Sequence, residues 1–181
     1  HAVAMKQSGP LALLLRGGLD PDESGRVQGV DEVVPTWGAP LRACARSGDL
    51  AMAGILLTHG ANANTNVYAA SSALYEAYKT GDDSMIALLE AHGGRLTPVA
   101  IAELGLVEQA ARLLSGDDDQ PPVPGAGSDV VWDLLWGAIE SPSPEIVALV
   151  LQAVDWPRDD PRWHGILENG LYLRPESNRA R

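Results

Sequence analysis

The sequence predicts an all-α repeat solenoid, built of stacked helix-turn-helix units with short hairpin loops. Three observations predict it. The first is an internal repeat: the segment from Ala39 to Asp49 returns as Ser72 to Asp82, one period of 33 residues later. The register then holds, with Leu41 matching Leu74, Ile55 matching Leu88, Leu56 matching Leu89, and His59-Gly60 matching His92-Gly93. A fixed period of this length marks an array whose units hide their apolar faces on one another. The second is punctuation, since Gly48 and Gly81 close each apolar stretch and an aspartate follows each of them. The third is composition. Leucine and alanine dominate, phenylalanine is absent, and 19 glycines with 13 prolines suit short helices separated by many turns.

The residues that carry the repeat resemble the ankyrin family. Pro40-Leu41 stands at the threonine-proline-leucine-histidine start, with Ala39 for the threonine and Arg42 for the histidine. Cys44-Ala45 fill the two small positions, Gly48 the break, Leu56-Leu57 the leucine pair and Gly60-Ala61 the terminal glycine-alanine. The second copy departs at Tyr78, where a small residue is expected. The resemblance implies hairpins on one side, paired helices on the other, and a concave surface that binds a protein partner. In this family the hairpin tips and the exposed side of each first helix make the contacts. Carried onto this chain, that surface includes Thr36, Trp37, Arg46, Asn66, Tyr68, Tyr75, Lys79, Trp136 and Glu140. Aromatic and arginine side chains are the usual hot spots of interfaces, and Trp37, Arg46, Tyr68, Tyr75, Lys79 and Trp136 are the candidate partner-binding residues. Tyr75 and Trp136 are also candidates for packing against the hairpin that follows.

In order along the chain, the expected units span residues 1–37, 38–71, 72–94, 95–128 and 129–154, with a degenerate cap at 155–181, all within one domain. In the first unit Pro10 opens a helix whose apolar side holds Leu11, Leu13, Leu14 and Leu15, and Gly17-Gly18 stop it. Residues 23–37 form a long connection in which Val33-Val34 makes a short extended piece before Pro35. In the second unit Asp49 caps a helix that buries Met52, Ile55 and Leu56. Ser72 and then Asp82 or Asp83 cap the helices of the third unit, which buries Met85, Ile86, Leu88 and Leu89. The fourth unit is shortened: Thr97 caps a helix holding Ile101 and Leu104, Gly105 plays the part of Gly48, and Leu106, Val107, Leu113 and Leu114 continue the core. Residues 115–128 carry no period and read as a mobile loop. Beyond them, Leu134, Leu135 and Ile139 lie on one helix and Ile146 to Leu151 on the next, with Ser141 to Pro144 replacing the glycine break. Asp155 to Arg162 reads as a proline-broken loop, Trp163 to Leu173 as a fifth unit or cap, and Glu176 to Arg181 as a frayed end.

The formal net charge of -11 repels phosphate backbones, which argues against nucleic-acid binding; it either draws in a basic protein partner at long range or only keeps the chain soluble. Hydrophobic residues at 45% place the chain among soluble globular proteins, and no apolar run approaches membrane-spanning length. The single cysteine, Cys44, leaves no internal disulfide and fits a reducing compartment such as the cytoplasm. The start at His1-Ala2-Val3-Ala4, with no methionine, suggests a trimmed piece of a longer parent.

No constellation for catalysis stands out. Cys44 occupies a small, buried position and no histidine is placed beside it. His59 and His92 are repeat equivalents, spaced too widely to share one metal. Asp117, Asp118 and Asp119 lack the alternating spacing of a calcium loop. The reading that follows is a non-catalytic protein-protein interaction module, monomeric in isolation and without cofactor. The alternatives are an acidic inhibitor or immunity-type protein that neutralises a basic enzyme or toxin, and an enzyme with an unrecognised site.

Overall fold

The computed structural model describes residues 7–22, 25–26, 33–34, 39–65, 72–116, 127 and 129–172. Among these the architecture is all-α: ten helices and a single two-residue ladder. The ladder pairs β1 (Gly25–Arg26) with β2 (Val33–Val34) antiparallel, Gly25 facing Val34 and Arg26 facing Val33. Val33-Val34 is therefore extended, as the β-branched pair ahead of Pro35 predicts. The described residues separate into two compact units, one up to Leu96 and the other from Thr97 onward.

The first unit holds α1 (Ser8–Arg16), α2 (Ala39–Ser47), α3 (Leu50–Thr58), α4 (Ala73–Thr80) and α5 (Asp83–Ala91). Its local chemistry is the same twice. Asp49 accepts from the Met52 N–H at 3.0 Å and Asp82 from the Met85 N–H at 3.0 Å, each satisfying a donor that a helix start leaves free. Gly48 and Gly81 both have φ of +67°, a left-handed turn that would cost a side chain about 1–2 kcal/mol. Ser72 caps α4 by accepting from the Tyr75 N–H at 3.1 Å. Helices α2 and α4 pack side by side, α3 packs on α1 and α5, and each pair α2–α3 and α4–α5 is in contact.

Burial follows the period. Leu41 and Leu74, Met52 and Met85, and Leu56 and Leu89 are all sealed from solvent. Helices of nine residues bury only a narrow stripe, however, and several expected core residues fall off it. Leu11 and Leu15, spaced by four, are buried, but Leu13 is 66% and Leu14 51% exposed. Ile55, Ile86 and Leu88 are half-buried for the same reason, while Leu57 goes inside. The loops that follow the helix pairs are tied to one another. Asn62 donates its N–H to Asp22 Oδ2, and the Asn64 amide donates to the Gly93 carbonyl at 2.7 Å while accepting from the Arg95 N–H at 2.8 Å.

The second unit holds α6 (Pro98–Glu103), α7 (Val107–Ser115), α8 (Val130–Ala138), α9 (Pro144–Ala153) and α10 (Pro161–Tyr172). Thr97 caps α6 and Asp129 caps α8, accepting from Ala100 N–H at 3.2 Å and Trp132 N–H at 3.0 Å. Gly105 turns with φ of +70°, matching Gly48 and Gly81. Helix α6 packs on α7 and α8, α9 packs on α7 and α8, and α10 packs on α8. At the α6–α8 crossing a Cβ on Gly137 would sit 2.2 Å from the Val99 carbonyl oxygen, so the glycine sets how close the two backbones come. Ile101, Leu134, Leu135, Ile146 and Val150 are buried. Leu104, Leu106, Val107, Leu113, Leu114, Ile139, Val147 and Leu149 are only half-buried and Leu151 is 45% exposed, again because the helices are short. Helix α10 begins at Pro161, so the preceding loop ends two residues sooner than the sequence reading places it. Most of residues 115–128, and everything after Tyr172, lie outside the described residues. No described helix is long and apolar enough to cross a membrane.

Candidate protein-interaction surface

Three of the candidate residues lie on the adjacent helices α2 and α4. Arg46 is exposed in the last turn of α2, and Lys79, its repeat equivalent, is exposed in the last turn of α4. Tyr75 is half-buried one turn before Lys79, and the Lys79 Nζ lies over its ring, 5.5 Å from the centroid. A spacing of four residues places both on one helix face, where cation and ring attract. Arg42, the equivalent of Tyr75, stands four residues before Arg46 on α2. Its Nε donates to Glu76 Oε1 at 2.9 Å and its Nη2 to the same oxygen. Glu76 is buried, at 8% side-chain exposure, and Arg42 keeps 23%. The pair fastens α2 to α4 and holds the guanidinium at their common edge.

Trp136 lies on α8 in the second unit, half-buried rather than fully exposed, with its ring 5.6 Å from that of Trp132. Glu140 is exposed just past the end of α8. Trp37 and Tyr68, and with them Thr36 and Asn66, lie outside the described residues.

The second unit also carries a cluster that sequence reasoning missed. Trp132 neighbours Trp156 at 6.0 Å, and Trp156 meets Trp163 edge-on at 5.2 Å. Arg162 covers the Trp156 ring at 4.1 Å. Its guanidinium donates to both oxygens of Asp160, at 2.9 and 2.8 Å, and to Asp129 Oδ2 at 2.9 Å. Hydrogen bonds from Arg162 hold the Asp160 carboxyl down at about 2. The proline-broken stretch before α10 is thus pinned to the start of α8. The tryptophan and arginine residues were visible in the sequence, but nothing in their spacing predicts that they stack.

Two further acids are unusual. Asp133, on α8, is buried, which pushes its carboxyl up, although the Gly127 N–H donates to it at 2.6 Å. Asp22 is raised by burial as well, and its Oδ1 has no hydrogen-bond partner among the described residues. Neither stands among groups that suggest chemistry. Cys44 is fully enclosed, and burial, with a smaller contribution from the Asp49 charge, pushes its thiol up to about 12. A thiol so placed is not a nucleophile at neutral pH. His59 and His92 each donate from Nδ1 to a carbonyl of their own helix, Ile55 at 2.8 Å and Leu88 at 2.9 Å. No group of three metal-ligating side chains occurs among the described residues.

A scan against protein-family models gives no match, and a search of curated proteins finds none either.

Proposed function

We propose that this chain is a non-catalytic protein-interaction module of ankyrin-like helix-turn-helix units, which takes a protein partner on the exposed side of its first helices. The observation that carries the reading is the recurrence in the first unit. Equivalent aspartate caps, equivalent left-handed glycines and equivalent buried leucines return after one period, and the first helices α2 and α4 lie against each other. Such units spend their apolar residues on neighbouring helices and leave the opposite side for a guest. On that side Arg46, Tyr75 and Lys79 combine a guanidinium, an aromatic ring and an ammonium, and of these arginine and tyrosine are enriched at interfaces. The family assignment rests on the residue pattern, and the step from fold to partner is one of analogy.

The test is capture by the intact chain from an extract of its own source organism, quantified by mass spectrometry. Arg46→Ala with Lys79→Ala should strip the specifically captured protein away and leave thermal unfolding where it was. Capture indifferent to every substitution on α2 and α4, or turnover of a substrate by the purified chain, would overturn the reading.

A further inference from the structure

We propose that the α2–α4 face receives an acidic segment of its partner, an inference that rests on the protein-interaction reading above. Charge is segregated within the first unit. Helices α2 and α4 carry three cations, Arg42, Arg46 and Lys79, and one acid, Glu76. That acid is buried and consumed by Arg42. Elsewhere among the unit's described residues the balance reverses. Arg16, Arg26 and Arg95 stand against Asp20, Asp22, Asp49, Asp82, Asp83 and Glu90. The acids nearest in sequence, Asp49 and Asp82, are turned onto the N–H groups of Met52 and Met85 at the starts of α3 and α5. A chain of net charge -11 therefore presents, on one pair of helices, a face of the opposite sign.

The geometry suits carboxylates. Arg46 has no ion-pair partner among the described residues, and a planar guanidinium accepts a carboxylate through two parallel hydrogen bonds. Lys79 is held over Tyr75, so its ammonium is already placed when a ligand arrives. Arg42 shares its charge with Glu76 and adds direction more than attraction. The patch is also short. A nucleic acid would carry its phosphates beyond it, onto a chain that repels them, whereas a brief acidic stretch of polypeptide can end where the cations end. Net charge alone favours a basic partner, but recognition is decided at the contact, where local charge counts most because salt screens the distant remainder.

Panning short random peptides, displayed on phage, against the intact chain tests this. The expected result is enrichment of sequences rich in Asp and Glu, whose binding weakens as salt rises. Arg46→Glu with Lys79→Glu should lower that binding at least about tenfold. Arg46→Gln with Lys79→Gln should lie between, with circular dichroism unchanged in both variants. Enriched peptides with no excess of acid, or acidic peptides indifferent to these substitutions, would overturn the inference while leaving a peptide-binding module standing. No enrichment at all would overturn it and remove support from the interaction reading too. A single-stranded oligonucleotide that binds the same face more tightly than any peptide would overturn it in favour of a nucleic-acid partner.

Discussion

Arg42 and Glu76, 34 residues apart, share two hydrogen bonds to a single carboxylate oxygen, and the two ends of the pair are unequally buried. That inequality predicts an unequal cost. Arg42→Ala strands the buried carboxylate and should destabilise by about 3 kcal/mol, since an orphaned buried charge is the expensive outcome. Glu76→Gln leaves a half-exposed guanidinium that water can solvate and should cost about 1 kcal/mol. Urea denaturation of both single variants and the double variant measures this, and equal costs for the two single changes would contradict it.

Two glycines should fail for different reasons. Gly81→Ala forces a side chain into the left-handed region and should cost about 1–2 kcal/mol, with open space around the new methyl group. Gly137→Ala has no backbone objection, but its Cβ would lie 2.2 Å from the Val99 carbonyl oxygen, so α6 and α8 must part. Overpacking of this kind costs about 1–3 kcal/mol or more, and the larger loss should fall on Gly137. Thermal melts of the two variants decide the order.

The contact of Arg162 with Asp160 should make α10 sensitive to acid. Asp160 has its carboxyl lowered from an ordinary 3.8 to about 2 in the folded protein. An acid depressed in this way stabilises the fold above its unfolded value, and the contribution is lost as pH falls through the folded one. Between about pH 4 and pH 2 the guanidinium should lose its bonds to Asp160, one of its two carboxylate partners, and loosen over Trp156. Tryptophan fluorescence should report a transition in that window, and Asp160→Asn should remove it.

Cys44 should behave as a reporter of opening. With a thiol that is fully enclosed and raised to about 12, native protein at pH 8 should react with a disulfide reagent only through unfolding. Labelling rates should rise with urea in step with the loss of helix. Reaction at the rate of a free peptide thiol in the absence of urea would show that the position is open.

The match between sequence and fold was best where the physics is local. A cap needs an acceptor within three residues of its donor, so Asp49, Ser72 and Thr97 could be placed by inspection and the α5 cap narrowed to Asp82 or Asp83. The stops at Gly48, Gly81 and Gly105 could be placed for the same reason. The period extended this to burial, since Leu41 and Leu74, one period apart, are both sealed from solvent. Placing Leu13 and Leu14 on the apolar side of α1 overshot, since a short helix presents one narrow stripe and leaves its remaining side chains outside. Of the candidate surface taken from the resemblance, Arg46 and Lys79 are exposed on α2 and α4, while Trp37 and Tyr68 lie outside the described residues.

The amino-acid order by itself determined where helices start and stop and which residues recur, because those depend on neighbours within a turn or on counting. The tertiary structure alone decided that Arg42 grips Glu76, that Arg162 lies on Trp156, that Asp133 is enclosed and that Gly137 admits a backbone. Each of those depends on groups from separate segments of the chain arriving at one place, and no local rule specifies that meeting.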